Sequence, residues 1–244
     1  MALFRHIVDG RRTGCDKQVI VYGNGPHTRV VQGYLFDQDP VAGYIVDDHV
    51  VHHQPRLGGH DVLPLSEALE RFPPQHYAVL VALAFRDFNG LRKDRSDALR
   101  AMGYELVSFV DRSARLPQHF SIAANSIVLD HVAINDGVTV GEGVFVSSGA
   151  KVGHDSVLED YCWVGSGVAM AGGVRVGAFS MLGLNCSIKQ NTRLAHHTLV
   201  TPNTFVNADT QPYDAIASDA GKSLGVDSRK LMRFAYVGKP GADQ

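Results

Sequence analysis

One aliphatic residue or methionine stands at every sixth position from Ile122 to Val206, fifteen in a row without a slip of register. Such residues fill only about a quarter to a third of an average chain, so chance does not produce this run. Two residues before most of them stands a small residue or valine, as at Ala150, Ser156, Cys162, Val168, Val174, Ser180 and Cys186. The residue after is often glycine: Gly141, Gly153, Gly165, Gly177 and Gly183. A period of six belongs neither to a helix nor to simple strand alternation. It fits a chain that makes a short strand, turns and repeats, one aliphatic side chain pointing inward per strand. Three such strands close a triangle, and stacked triangles form a parallel β-solenoid. The small residue is expected at the cramped inner corner, and glycine where the corner backbone turns.

Stacking turns the sequence into columns eighteen residues apart. The outward column Ile127, Phe145, Trp163, Met181 and Leu199 is apolar throughout. The other two read Ser121, Thr139, Val157, Arg175, Arg193 and Ala133, Lys151, Ala169, Ser187, Phe205. A large exposed apolar stripe asks for cover, which predicts that this face packs against copies of the chain as a trimer; a C-terminal segment folded back over it is the alternative. Cys162 and Cys186 fall at inward small positions on different faces and read as packing residues.

Ahead of the coil, residues 17–111 alternate between strand-like and helix-like runs. Gln18–Tyr22 is an apolar strand ending at Gly23-Asn24-Gly25, followed by a helix from His27 to Phe36. Ala42–Val46 is a second strand closed by Asp47-Asp48. Leu65–Phe72 reads as a helix, Tyr77–Ala84 as a strand, Arg92–Met102 as a helix and Glu105–Val110 as a strand. This is a small parallel α/β domain. A glycine turn between strand and helix suits an anion, but Thr28 stands where a dinucleotide fingerprint needs its third glycine. The chain therefore divides into an extension (1–16), the α/β domain (17–111), the solenoid (112–208) and a partly helical tail (209–244).

With Lys plus Arg at 23, Asp plus Glu at 25 and a net charge of -2, the chain lacks the basic skew of a nucleic-acid-binding surface. It has no run of about 18 apolar residues for a membrane span and no secretory leader at its start. A soluble cytoplasmic protein is the expectation.

The repeat, together with the Gly23–Gly25 turn, Asp47-Asp48, the Arg86-Asp87-Phe88-Asn89 segment, Gly103-Tyr104 and the domain ending Ser108–Ala114, resembles a known group. These are the hexapeptide-repeat sugar O-/N-acyltransferases, the sialic acid O-acetyltransferase and pilin-glycan N-acetyltransferase group. The resemblance implies a left-handed coil, a homotrimer, and transfer of an acyl group from acetyl-CoA or another acyl-CoA to a nucleotide-linked amino sugar, with no metal. Gly23, Gly25, Asp47 and Asp48 would hold the nucleotide. His154, inside the repeat at a corner and followed by Asp155, would be the general base, with Asp155 orienting its ring. Gly172, eighteen residues on, would offer its N–H to the thioester oxygen, with Gly173 beside it. Gly183 and Asn185 of Gly183-Leu184-Asn185 would touch the acyl-CoA, and Trp163, where many relatives carry a histidine, would wall the acceptor pocket. Pro202 lacks the N–H that relatives offer the pantetheine arm. O-acetyl transfer, or a non-catalytic trimer that binds nucleotide-sugars, are the other readings. His131, His154, His196 and His197 do not show the spacing of the zinc-binding histidines found in carbonic anhydrases of this fold.

Overall fold

In the computed structural model, residues 4–8, 11–14, 16–35, 41–219, 221, 223 and 225–229 are described. The predicted end of the first helix at Phe36 and most of the helical tail lie outside them.

The chain opens with an antiparallel hairpin, β1 (Phe4–Val8) and β2 (Arg11–Gly14). The α/β domain then runs β3 (Gln18–Tyr22), α1 (Pro26–Leu35), β4 (Val41–Val46), a 3-10 turn (Asp48–His53), β5 (Arg56–Leu57), β6 (His60–Pro64), α2 (Leu65–Arg71), β7 (Tyr77–Val81), α3 (Gly90–Ala101) and β8 (Glu105–Leu106). Its sheet has the order β5-β6-β4-β3-β7-β8, parallel except at the β5–β6 hairpin. From β3 the chain winds outward through β4 and β6, then returns past β3 to β7. The carboxyl ends of β3 and β7 thus flank a topological switch point, where open α/β sheets bind ligands. The apolar runs of β3, β4 and β7 are buried on both sheet faces, as parallel strands require.

Beyond β9 (Ser108–Val110) come two-residue strands that stack in three parallel sheets, each rung pairing with the one eighteen residues on, as in Phe145↔Trp163, Lys151↔Ala169 and Val157↔Arg175. The coil is a left-handed β-helix. The sixth-position aliphatics and the small residues two places before them form one continuous core. The coil reaches further than the six-residue register marks. β9 already belongs to its first sheet, with β1 paired to it on the outside. After Val206 the coil makes a shortened turn, and Ala215–Ile216 still pairs with Leu199–Val200. A short turn breaks the period, so the sequence loses the signal where the pairing continues.

The glycines after the inward residue have a different reason from the one expected. Left-handed backbone is needed two residues later, where Asn125, Asp155, Asn185 and His197 stand as well as Gly137 and Gly173. Gly153, Gly165 and Gly177 do not have positive φ; they are bare because the next coil's backbone lies against them. A Cβ on Gly153 would come within 2.4 Å of the Ala171 carbonyl.

The apolar stripe is also covered differently. Ile127, Phe145 and Trp163 are buried against Val21, Val31, Leu80 and Ala82 of the chain's own α/β domain. Trp163 stacks flat on Phe145, centroids 3.9 Å apart, with His27 at 4.6 Å and Phe85 at 5.2 Å. The expectation that partner copies cover these three is overturned: the domain that precedes the coil lies back on that face. Met181 and Leu199, higher on the stripe, stay partly exposed.

Candidate functional site

His154 and Asp155 occupy the corner between the strands Lys151–Val152 and Val157–Leu158. The left-handed backbone of Asp155 (φ 57°) swings its carboxylate back, and Oδ2 lies 2.7 Å from His154 Nδ1. With Nδ1–H donating to the carboxylate, Nε2 is left as the lone-pair nitrogen. One coil on, a Cβ at Gly172 would fall 2.4 Å from Nε2 and 2.6 Å from Cε1, so the imidazole lies directly over a corner that is bare of side chain. The Gly172 N–H donates to no acceptor among the described residues, while Gly173 N–H is taken by the His154 carbonyl at 2.8 Å. Gly137, one coil before, makes room for Asp155 in the same way: its Cβ would meet Oδ1 at 2.3 Å. Both side chains of the pair are exposed, so the corner is open to a reactant.

The second feature is a cleft of about 600 Å³ at the switch point, lined by Tyr22, Gly23, Asn24, Gly25, Asp47, Arg86, Asp94 and Arg95 among others. Gly23 (φ 133°) has no room for a side chain, since a Cβ would meet Thr28 Oγ1 at 2.5 Å. Thr28 spends its hydroxyl on the Ala82 carbonyl, 2.9 Å away. Around Gly25 there is open space. Asp47 Oδ2 accepts from Arg95 Nε at 2.8 Å and Nη2 at 2.7 Å. Asp48 lies apart from this cleft: it accepts the Ser66 N–H at 3.0 Å at the start of α2, which holds its carboxyl below the usual range.

The other sequence-derived candidates are placed as follows. Gly183 and Asn185 stand at a different corner from Gly172, the one between the strands Met181–Leu182 and Ser187–Ile188. Gly183 is bare because Pro202 N of the next coil would lie 2.6 Å from a Cβ, and Asn185 Oδ1 sits over Gly167. Trp163 is wedged in the junction between domain and coil. Burial raises both coil thiols, Cys186 to about 12, which suits packing rather than nucleophilic roles. Among the described residues, no three His, Cys, Asp or Glu side chains gather to hold a metal ion, and no helix is long and apolar enough to cross a membrane.

Sequence reasoning missed the junction itself. Arg92, Asn125 and Asn89 are completely buried there, and Tyr34 Oη donates to Asp130 Oδ1 at 2.7 Å on the opposite flank. His27, half-buried among the rings and near Arg92, has its pKa lowered from 6.5, first by burial and then by that cation. The unfolded chain therefore takes up this proton first, and the fold loses stability as pH falls below about 6.5. His27→Phe, which keeps a ring in place, is expected to flatten the slope of melting temperature against pH between pH 7 and 5. An unaltered slope would remove His27 as its source.

On a single chain the two features are kept apart. The α/β domain covers the face that runs through Phe145 and Trp163, whereas His154 stands at the corner where the other two faces meet.

No protein-family model and no curated protein matches the sequence; the likeness is in structure. A histidine-to-asparagine variant of perosamine N-acetyltransferase from Caulobacter crescentus, in complex with CoA and GDP-perosamine, is 25% identical with a TM-score of 0.74, over 84% of this chain and 95% of that one. PerB from the same organism, with the same two ligands, is 26% identical at a TM-score of 0.70, over 84% and 93%. The acetyltransferase domain of PglB from Neisseria gonorrhoeae, with acetyl coenzyme A, is 21% identical at a TM-score of 0.75, over 86% and 100%, and speaks for the fold alone. The class that fold and neighbours define is the hexapeptide-repeat sugar acyltransferases. This chain is a structural relative of that group.

Proposed function

We propose that the chain is an acyl-CoA-dependent N-acyltransferase that acetylates the amino group of a nucleotide-linked sugar. The observation that carries the reading is the His154–Asp155 pair lying over bare Gly172, on a chain that also holds a cleft at an α/β switch point. The two neighbours that hold CoA and GDP-perosamine, one of them a perosamine N-acetyltransferase, support the substrate class.

In this reading the cleft binds the nucleotide, with Gly25 leaving space and Asp47 supplying a carboxylate. The sugar amine attacks the thioester carbonyl, and His154 Nε2 takes the proton that the nitrogen loses. Asp155 fixes the tautomer and the orientation of the ring. The Gly172 N–H donates to the carbonyl oxygen as it gains charge. When the C–S bond breaks, the imidazolium returns the proton to the thiolate, so the transfer is direct and the products are the N-acetyl sugar and free CoA thiol.

Because one chain keeps cleft and base on different sides, the working site is formed where the cleft side of one copy meets the His154 corner of the next. A cyclic trimer provides three such heterologous contacts. Partly exposed Met181 and Leu199, with Leu184 exposed nearby, offer apolar surface for that contact.

Calorimetry with acetyl-CoA and a panel of nucleoside diphosphates, followed by thiol release with amino-sugar conjugates of the one that binds, tests the reading. Binding of both ligands and release of thiol only with an amine acceptor is the expected outcome. Nucleotide binding with no CoA binding would point instead to a non-catalytic binding protein, in line with Pro202 on the donor side.

A further inference from the structure

Helix α3 presents different faces to two places. Leu91, Asp94 and Arg95 line the nucleotide cleft, while Arg92 and Ser96, one turn apart, are completely buried against the solenoid. Arg92 has no carboxylate partner among the described residues. Its guanidinium donates only to backbone carbonyls: Nε to Val81 at 3.0 Å, Nη1 to Gly143 at 2.9 Å and Nη2 to Asn125 at 2.5 Å. Val81 ends strand β7 of the domain, whereas Gly143 and Asn125 stand on successive coils at one solenoid corner.

Asn125 closes the knot from the other side. Its Oδ1 accepts the Val81 N–H at 2.9 Å and its Nδ2 donates to Ser96 Oγ at 2.9 Å. Both polar groups of the Val81 backbone are thus gripped, one by α3 and one by the coil. The next residue carries the connection into the cleft: Ala82 N–H donates to the Tyr22 carbonyl at 3.0 Å, and the Ala82 carbonyl receives the Thr28 hydroxyl that sits against Gly23.

A buried charge held only by carbonyls is an expensive way to secure stability, since apolar side chains of similar volume often do as well. Burial lowers the Arg92 pKa to about 10, yet the group stays charged at neutral pH. What an apolar side chain cannot supply is a planar fork that fixes three carbonyls in relation to one another.

We infer that Arg92, with Asn125, is a positioning residue that locks the floor of the nucleotide cleft to the solenoid, so that nucleotide affinity depends on the junction. The inference rests on the cleft being the nucleotide site, as proposed above. It differs from mere structural support in what it requires: loosening the knot weakens one ligand and spares the other.

The test uses the full chain and its Arg92→Met, Arg92→Lys and Asn125→Gly variants. Asn125→Gly keeps the left-handed backbone that Asn125 adopts (φ 55°). Binding of GDP, UDP and acetyl-CoA is measured by calorimetry well below each variant's melting temperature. For the nucleotide that the parent binds, Kd is expected to rise about tenfold or more in Arg92→Met and Asn125→Gly, with acetyl-CoA changed by less than about twofold. Arg92→Lys, which keeps the charge and part of the bonding, should recover part of the loss, and Arg92→Met combined with Asn125→Gly should be little worse than either alone. Folded variants that bind nucleotide as the parent does, or lose both ligands alike, would overturn the inference. If Arg92→Met does not fold, the other two variants decide. A parent chain that binds acetyl-CoA but neither nucleotide would refute the cleft reading itself.

Discussion

His154→Ala is expected to lower kcat by about 10²–10⁴-fold, the range for loss of a positioned general base, with little change in melting temperature. The imidazole is exposed and makes one side-chain hydrogen bond, to Asp155, so its removal leaves no cavity and no buried orphan. Acetyl-CoA and nucleotide should bind as before, because neither Gly172 nor the cleft is touched. Asp155→Asn should act in the same direction but more weakly, since the amide oxygen can still accept from Nδ1–H but the amide nitrogen, if turned inward, selects the other tautomer. Thiol release under saturating substrates checks both variants. Turnover unchanged in His154→Ala would remove the base.

A paired glycine substitution is the second large effect. Gly172→Ala and Gly153→Ala each add one methyl beside the same corner, and each methyl would lie 2.4 Å from its nearest atom. At Gly172 that atom is Nε2, the far end of an exposed ring that can turn away. Gly172→Ala should leave stability within about 0.5 kcal/mol while misplacing the base by about an ångström, for a loss of about 10²-fold in kcat. At Gly153 the nearest atoms are the Ala171 backbone, which cannot move without parting two coils. Gly153→Ala should cost about 1–3 kcal/mol of stability. Denaturant titration and initial rates separate the two cases. Equal stability losses would show that the ring over Gly172 is as fixed as backbone.

The coil was legible because its side chains repeat with the geometry that repeats them: one inward aliphatic and one small corner residue per strand. His154 and Asp155 were legible as neighbours at a corner, but the left-handed backbone that brings the carboxylate onto the ring was not. The covering of the stripe was not. Ile127, Phe145 and Trp163 need an apolar neighbour, and the pattern does not say whether that neighbour is another copy, the tail or the domain in front. Arg92 was hidden for a related reason, because a basic residue near the start of a helix reads as solvated until the surface above it is known. Gly183-Leu184-Asn185 stands at a corner one step of six away from the column of His154 and Gly172, a placement that shows only when the coils are counted. The glycines after the inward residues were found, but the coil-to-coil contact that requires them depends on spacing between turns.

In the proposed assembly one copy lends the base and the next lends the cleft. Mixing two disabled variants tests it most directly: His154→Ala, which keeps the cleft, and Gly25→Trp, which fills the open space at the cleft and keeps the base. Each should be inactive alone. Unfolded and refolded together in equal amounts, random cyclic trimers should recover about a quarter of the parent's sites, since each site needs one intact half from each variant. A mixture as inactive as its parts, with subunit exchange demonstrated, would contradict the claim.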